Sequence, residues 1–61
     1  MKDVYVVQEW DTEPITLQVM SDREEAITYA KKLAKGDSRE WYSVTRWVVN
    51  EGEKEVVYNS L

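Results

Sequence analysis

The sequence predicts an α+β domain in which a four-stranded, mainly antiparallel sheet carries one helix on one face, in the chain order β-β-α-β-β. Three observations carry this expectation. Segments near both ends have the β-branched and aromatic composition of strands, turn residues divide each of those regions in two, and a capped helix signal stands between them. With 61 residues the chain makes one domain, spanning 1–61.

The first strand is Val4-Tyr5-Val6-Val7-Gln8-Glu9-Trp10, and the second, Ile15-Thr16-Leu17-Gln18-Val19-Met20, alternates apolar with polar residues at period two. Asp11-Thr12-Glu13-Pro14 between them contains turn formers and closes a hairpin. A four-residue loop pairs Trp10 with Ile15, Gln8 with Leu17 and Val6 with Val19. That register puts Val4, Val6, Trp10, Ile15, Leu17 and Val19 on one face.

Ser21-Asp22-Arg23-Glu24 reads as a capping box, with the Ser21 hydroxyl accepting from the Glu24 amide. The helix it opens is expected over 22–35, with Asp22, Glu24 and Glu25 near its start and Lys31, Lys32 and Lys35 near its end, both favourable to the macrodipole. Gly36 suits the C′ position. Ala26, Ile27, Ala30, Leu33 and Ala34 form a narrow stripe whose alanines allow close approach to a sheet. A third strand is expected over 41–49 and a fourth over 54–60, joined by a turn at Asn50-Glu51-Gly52 in which glycine supplies φ > 0. The order of the two hairpins within the sheet is left open by these signals.

One helix covers one face of such a sheet, so the other should be polar in a lone monomer. Here alternation gives that open face Tyr5, Val7, Glu9, Thr16, Gln18 and Met20 from the first hairpin. The third strand adds either Trp41, Ser43, Thr45, Trp47 and Val49 or Tyr42, Val44, Arg46 and Val48. The first set is the better fit, because Ser43 and Thr45 suit half-exposed positions. Tyr5, Val7, Trp41 and Trp47, with Val57, then make an apolar and aromatic patch for a protein partner or a second copy, and a homodimer is the expected assembly. The tryptophans can alternatively fold over the sheet edge and complete a small core.

Composition narrows the function classes. There is no Cys and no His, which removes thiolate chemistry, disulfides, the commonest general base and the commonest metal ligand. No apolar run approaches the roughly 20 residues that span a bilayer, and Met1-Lys2-Asp3 opens no signal peptide, so a cytoplasmic protein without membrane contact is expected. Twelve acidic against eight basic residues give a net charge of −4. Direct nucleic-acid binding is therefore not expected, and a basic protein target suits the acidic surface of Glu9, Asp11, Glu13, Asp22, Glu24 and Glu25. That run could also imitate a phosphate backbone.

Paired carboxylates at Glu24 and Glu25 or at Glu51, Glu53 and Glu55 are better read as cap, turn and exposed strand positions, and Asp11 with Glu13 as a solvated loop rather than a cation site. The serines lack a histidine base. No enzyme activity, catalytic residue, metal or cofactor is expected. Lys31, Lys35 and Arg39, beside Trp41, form the one basic cluster that could hold a nucleotide by charge and stacking, and a sequestering module of that kind is the alternative reading.

The opening Val4-Tyr5-Val6-Val7-Gln8-Glu9 strand, the Ser21-Asp22-Arg23-Glu24-Glu25-Ala26-Ile27 helix start and the Tyr42-Ser43-Val44 strand resemble very small β-β-α-β-β proteins encoded by bacteriophages and their bacterial hosts. The resemblance covers about residues 4–50. It implies a non-enzymatic protein-binding inhibitor or modulator of a host enzyme or an antiviral defence component, with a structural homodimer subunit as a further possibility. It carries over no catalytic residues.

Overall fold

The computed structural model describes residues 3–36 and 40–60. Four strands, β1 (Asp3–Trp10), β2 (Pro14–Met20), β3 (Trp41–Val48) and β4 (Gly52–Asn59), form one sheet, and the helix α1 (Arg23–Gly36) lies between β2 and β3 in the chain. The sheet order is β2-β1-β3-β4 and every neighbouring pair is antiparallel. The expected α+β, β-β-α-β-β architecture is the one found, and the open question of hairpin order is settled by β1 lying against β3.

The central ladder is regular over eight pairs, from Asp3 opposite Val48 to Trp10 opposite Trp41. Both outer ladders are interrupted. β1–β2 has a bulge beside Val7 and Gln8, and β3–β4 has two irregularities, beside Val44 and Thr45 and beside Arg46 and Trp47. The β1–β2 bulge corrects the expected register. Val6 does pair with Val19, but beyond the bulge Gln8 pairs with Thr16, Glu9 with Ile15 and Trp10 with Pro14. One extra residue, Leu17, breaks the alternation, so Ile15 and Val19 fall on opposite faces.

The helix starts one residue later than its capping box implied. The Asp22 carboxylate, not the Ser21 hydroxyl, is the cap: its Oδ1 accepts from the amides of Glu24 at 2.9 Å and Glu25 at 3.2 Å, while the Asp22 carbonyl accepts from Ala26 at 3.0 Å. An ionised cap also complements the positive end of the helix macrodipole. Gly36 is the last helical residue and has no left-handed φ, so it does not act as the expected C′ residue. Among the described residues the left-handed positions are Asn50 (φ 71°) and Gly52 (φ 97°). The Glu51 amide donates to the Val48 carbonyl at 2.9 Å, and positive φ at the third of the four turn residues, Asn50, is what a type II turn requires.

The core is thin. Among the described residues Val7, Ala26, Ala30, Tyr42 and Val44 are its buried apolar members, and only Val7 and Val44 are large and fully buried. Ala26 and Ala30 let α1 settle directly on these two valines, while Tyr5, Met20, Ile27, Tyr29, Leu33, Ala34, Val57 and Tyr58 pack around the contact. The Lys31 ammonium lies 5.8 Å from the centre of the Tyr58 ring, a cation–π contact that closes one side.

Candidate functional site

The regular β1–β3 ladder fixes which side chains face the helix. Val7 and Val44, directly opposite each other, are in the core with Tyr5 and Tyr42. By alternation the other face of the central strands carries Val4, Val6, Gln8 and Trp10 from β1 and Trp41, Ser43, Thr45 and Trp47 from β3. Pairing with the outer strands adds Thr16 and Val19 from β2, and Glu53, Val56 and Asn59 from β4. All three tryptophans of the chain stand on this uncovered face.

Two parts of the expected patch are thus corrected. Tyr5 and Val7 lie under the helix, Val7 completely buried, and Val57 packs against the core at the β4 bulge instead of facing outward. Both faces of β1 are apolar, so alternation within that strand could not say which one α1 covers. The neighbour decides it: pairing with β3 puts Val7 beside Val44, and the small helix residues need the larger tyrosines around them. Trp41 and Trp47 are on the open face as expected, and the preferred β3 set, with Tyr42 and Val44 inward, is the one observed.

Trp10 is the residue that sequence reasoning misses, because the expected hairpin face that carries it is taken as the covered one. Its ring stacks on Trp41 with centroids 4.9 Å apart and planes 5° from parallel. Its Nε1–H donates to Ser43 Oγ at 2.8 Å, which accounts for a serine that is buried although it faces away from the helix. Thr45 is buried on the same face and its hydroxyl donates a long hydrogen bond, 3.4 Å, to the Val6 carbonyl. The signal that could have found the pair is topological: Trp10 ends β1 and Trp41 begins β3, so adjacent antiparallel strands bring them together.

Near this pair lies a shallow hollow of about 220 Å³, lined by Gln8, Trp10, Pro14, Trp41, Ser43, Thr45, Glu53, Val56 and Asn59. At the other end of the face Trp47 is 36% exposed, and on the outer strands Val19 and Val56 are 56% and 55% exposed. Of the positions that pairing assigns to this face only Glu53 is charged. No buried side-chain nitrogen or oxygen among the described residues lacks a hydrogen-bond partner, so the polar groups beneath the aromatics are already satisfied.

The acidic surface is not one stripe. Glu9, Asp11 and Glu13 lie where β1 turns into β2, whereas Asp22, Glu24 and Glu25 lie beyond the far end of β2, about 20 Å away at the rise of an extended strand. The fold instead gathers the helix start with the β3–β4 turn. Among the described residues that end of the sheet holds seven carboxylates (Asp3, Asp22, Glu24, Glu25, Glu51, Glu53 and Glu55) and three cations (Arg23, Arg46 and Lys54), a local balance of −4. Three of the acids are paired: Arg46 reaches Glu55 at 3.0 Å and Asp3 at 3.4 Å, and Lys54 reaches Glu51 at 3.3 Å. The hydrogen bonds to Glu55 and the charge of both acids raise the already high pKa of Arg46, which stays protonated at any ordinary pH.

The basic cluster does not converge. Lys31 is engaged over Tyr58 on the helix side, Trp41 is stacked on the opposite face of the sheet, Lys35 is exposed near the helix end, and Arg39 lies outside the described residues. Among the described residues no three acidic side chains are grouped so as to hold a metal ion, and no helix is long and apolar enough to cross a membrane.

No protein-family model, curated protein or solved structure matches the chain. Any functional reading therefore rests on the surface just described.

Proposed function

We propose that this protein acts by binding other proteins, without chemistry of its own, and that the open sheet face is a protein-contact surface. The single observation behind this reading is that a face carrying three tryptophans and two exposed valines, with one charge at its edge, has no covering element among the described residues. Exposed apolar area of that kind is costly to leave in water and marks contact sites, and tryptophan is a preferred anchor at such sites. In the cytoplasm, the strongly anionic end formed by the helix start and the β3–β4 turn suits a basic target, and charge of one sign steers such a partner into encounter. The reading is that of a phage-type inhibitor or modulator, acting on a host enzyme or an antiviral defence component as a homodimer.

Affinity capture with the wild type, Trp47→Glu and the double reversal Glu24→Lys/Glu25→Lys tests this. A protein retained by the wild type and lost with either variant at physiological salt supports the reading. Equal retention by all three, or retention of nothing from any cell that expresses the protein, overturns it.

A further inference from the structure

The open face has a shape and charge that select one occupant. We infer that it is covered by a second copy of the same chain, the two sheets packing face to face into an α/β/β/α sandwich with their strands antiparallel; this rests on the reading of that face as a contact surface.

Area is the first argument. The molecule is a slab of 33 × 23 × 16 Å, whose broad side has a footprint of about 760 Å². A standard stable interface takes about 800 Å² of accessible surface from each partner, and the outline of the broad side is of that order, so a second copy laid over most of it meets the need. Stability is the second. With two large side chains fully buried among the described residues, and no disulfide to reinforce it, the lone monomer is marginal. Doubling the sheet supplies the missing layer, at the spacing of about 10 Å usual for stacked sheets.

The sheet edges are poor alternatives. β2 starts with Pro14 and is bulged, and β4 is bulged twice and carries Glu53, Lys54 and Glu55; bulges, proline and charge are the devices that prevent edge pairing. Charge selects the orientation. Among the described residues one end of each slab is near −4, while the other sets Glu9, Asp11, Glu13 and Glu40 against Lys31, Lys32 and Lys35, a balance of −1. Antiparallel stacking keeps the two strongly anionic ends apart, whereas parallel stacking superposes them. It also sets Trp47 of each copy towards the Trp10–Trp41 stack of the other, so that aromatic anchors meet at both ends.

Sedimentation equilibrium of the purified protein over a wide concentration range tests the inference. The expected result is a mass of twice 7.2 kDa, with the dissociation constant raised about tenfold or more by Val56→Lys, which puts a charge into the face, and left unchanged by Ile15→Lys on the β2 edge. Val56 is more than half exposed in the monomer, so a folded variant is expected, to be checked by circular dichroism; Thr16→Lys, also exposed on this face, gives the same readout if it fails. A wild-type mass near 7.2 kDa at every concentration overturns the inference. So does a dimer lost with Ile15→Lys and kept with Val56→Lys, which assigns the contact to the edge. If the wild type is a monomer and Val56→Lys abolishes capture of a different protein, the face serves a foreign partner and only the second-copy assignment fails. If neither mass nor capture responds to Val56→Lys, the contact surface itself is wrongly assigned.

Discussion

At the scale of single residues, the helix cap separates two carboxyl and hydroxyl candidates that stand side by side. Asp22 accepts from two free amides of the first turn, and Ser21 is outside the cap. Asp22→Ala is expected to lower stability by about 1 kcal/mol in urea unfolding at fixed protein concentration, and Ser21→Ala to leave it within a few tenths. The reverse ranking restores the Ser21 capping box. Val44 is the other decisive side chain: Val44→Ala removes two methyl groups from a fully packed position between sheet and helix, and a loss of about 2 kcal/mol is expected in the same measurement. Arg46 behaves differently from both. Its raised pKa means that its pairing with Glu55 and Asp3 is not lost on the alkaline side until pH rises through that value.

At the scale of elements, backbone conformation gives a paired test. Gly52 has φ of 97° with open space where a Cβ would stand, so Gly52→Ala suffers backbone strain alone and is expected to cost about 1 kcal/mol or somewhat more. Gly36 ends the helix without positive φ and also has open space, so Gly36→Ala is expected to be neutral or to stabilise by about 0.5 kcal/mol. Thermal or urea unfolding of the two variants checks both signs; a destabilising Gly36→Ala returns that residue to the left-handed cap. Much at this scale was legible in the sequence. The stripe of Ala26, Ile27, Ala30, Leu33 and Ala34 is the helix face that packs on the sheet, because a 3.6-residue period leaves one way to bury it. What was not legible follows from two physical facts. A bulge at Leu17 has no local signature, yet it reverses the side on which Ile15 falls. β1 is apolar on both sides because it is central, so its own alternation is silent about which side meets the helix.

At the scale of the whole molecule, the same ambiguity propagated into the site. Trp41 and Trp47 were recognisable as open-face residues from β3 alone, because Ser43 and Thr45 alternate with them. Tyr5 and Val7 joined them only through the wrong face of β1, and Trp10 was lost in exchange. The corrected surface is more strongly aromatic than the expected one, and the proposed reading gives association to this broad face and target attraction to the carboxylates at the helix start. Mass action makes the first role measurable. The melting temperature is expected to rise with protein concentration for the wild type and to be independent of it for Trp47→Glu; a concentration-independent wild type contradicts a stabilising dimer. The most direct measurement is the set of intermolecular NOEs in an equimolar mixture of isotope-labelled and unlabelled copies. Contacts from the Trp47 indole to the Trp10 and Trp41 indoles of the other copy, with Val6 and Val56 between them, are predicted. Contacts confined to Ile15 and Leu17 on the β2 edge, or no intermolecular contacts at all, would contradict the assignment of the open face.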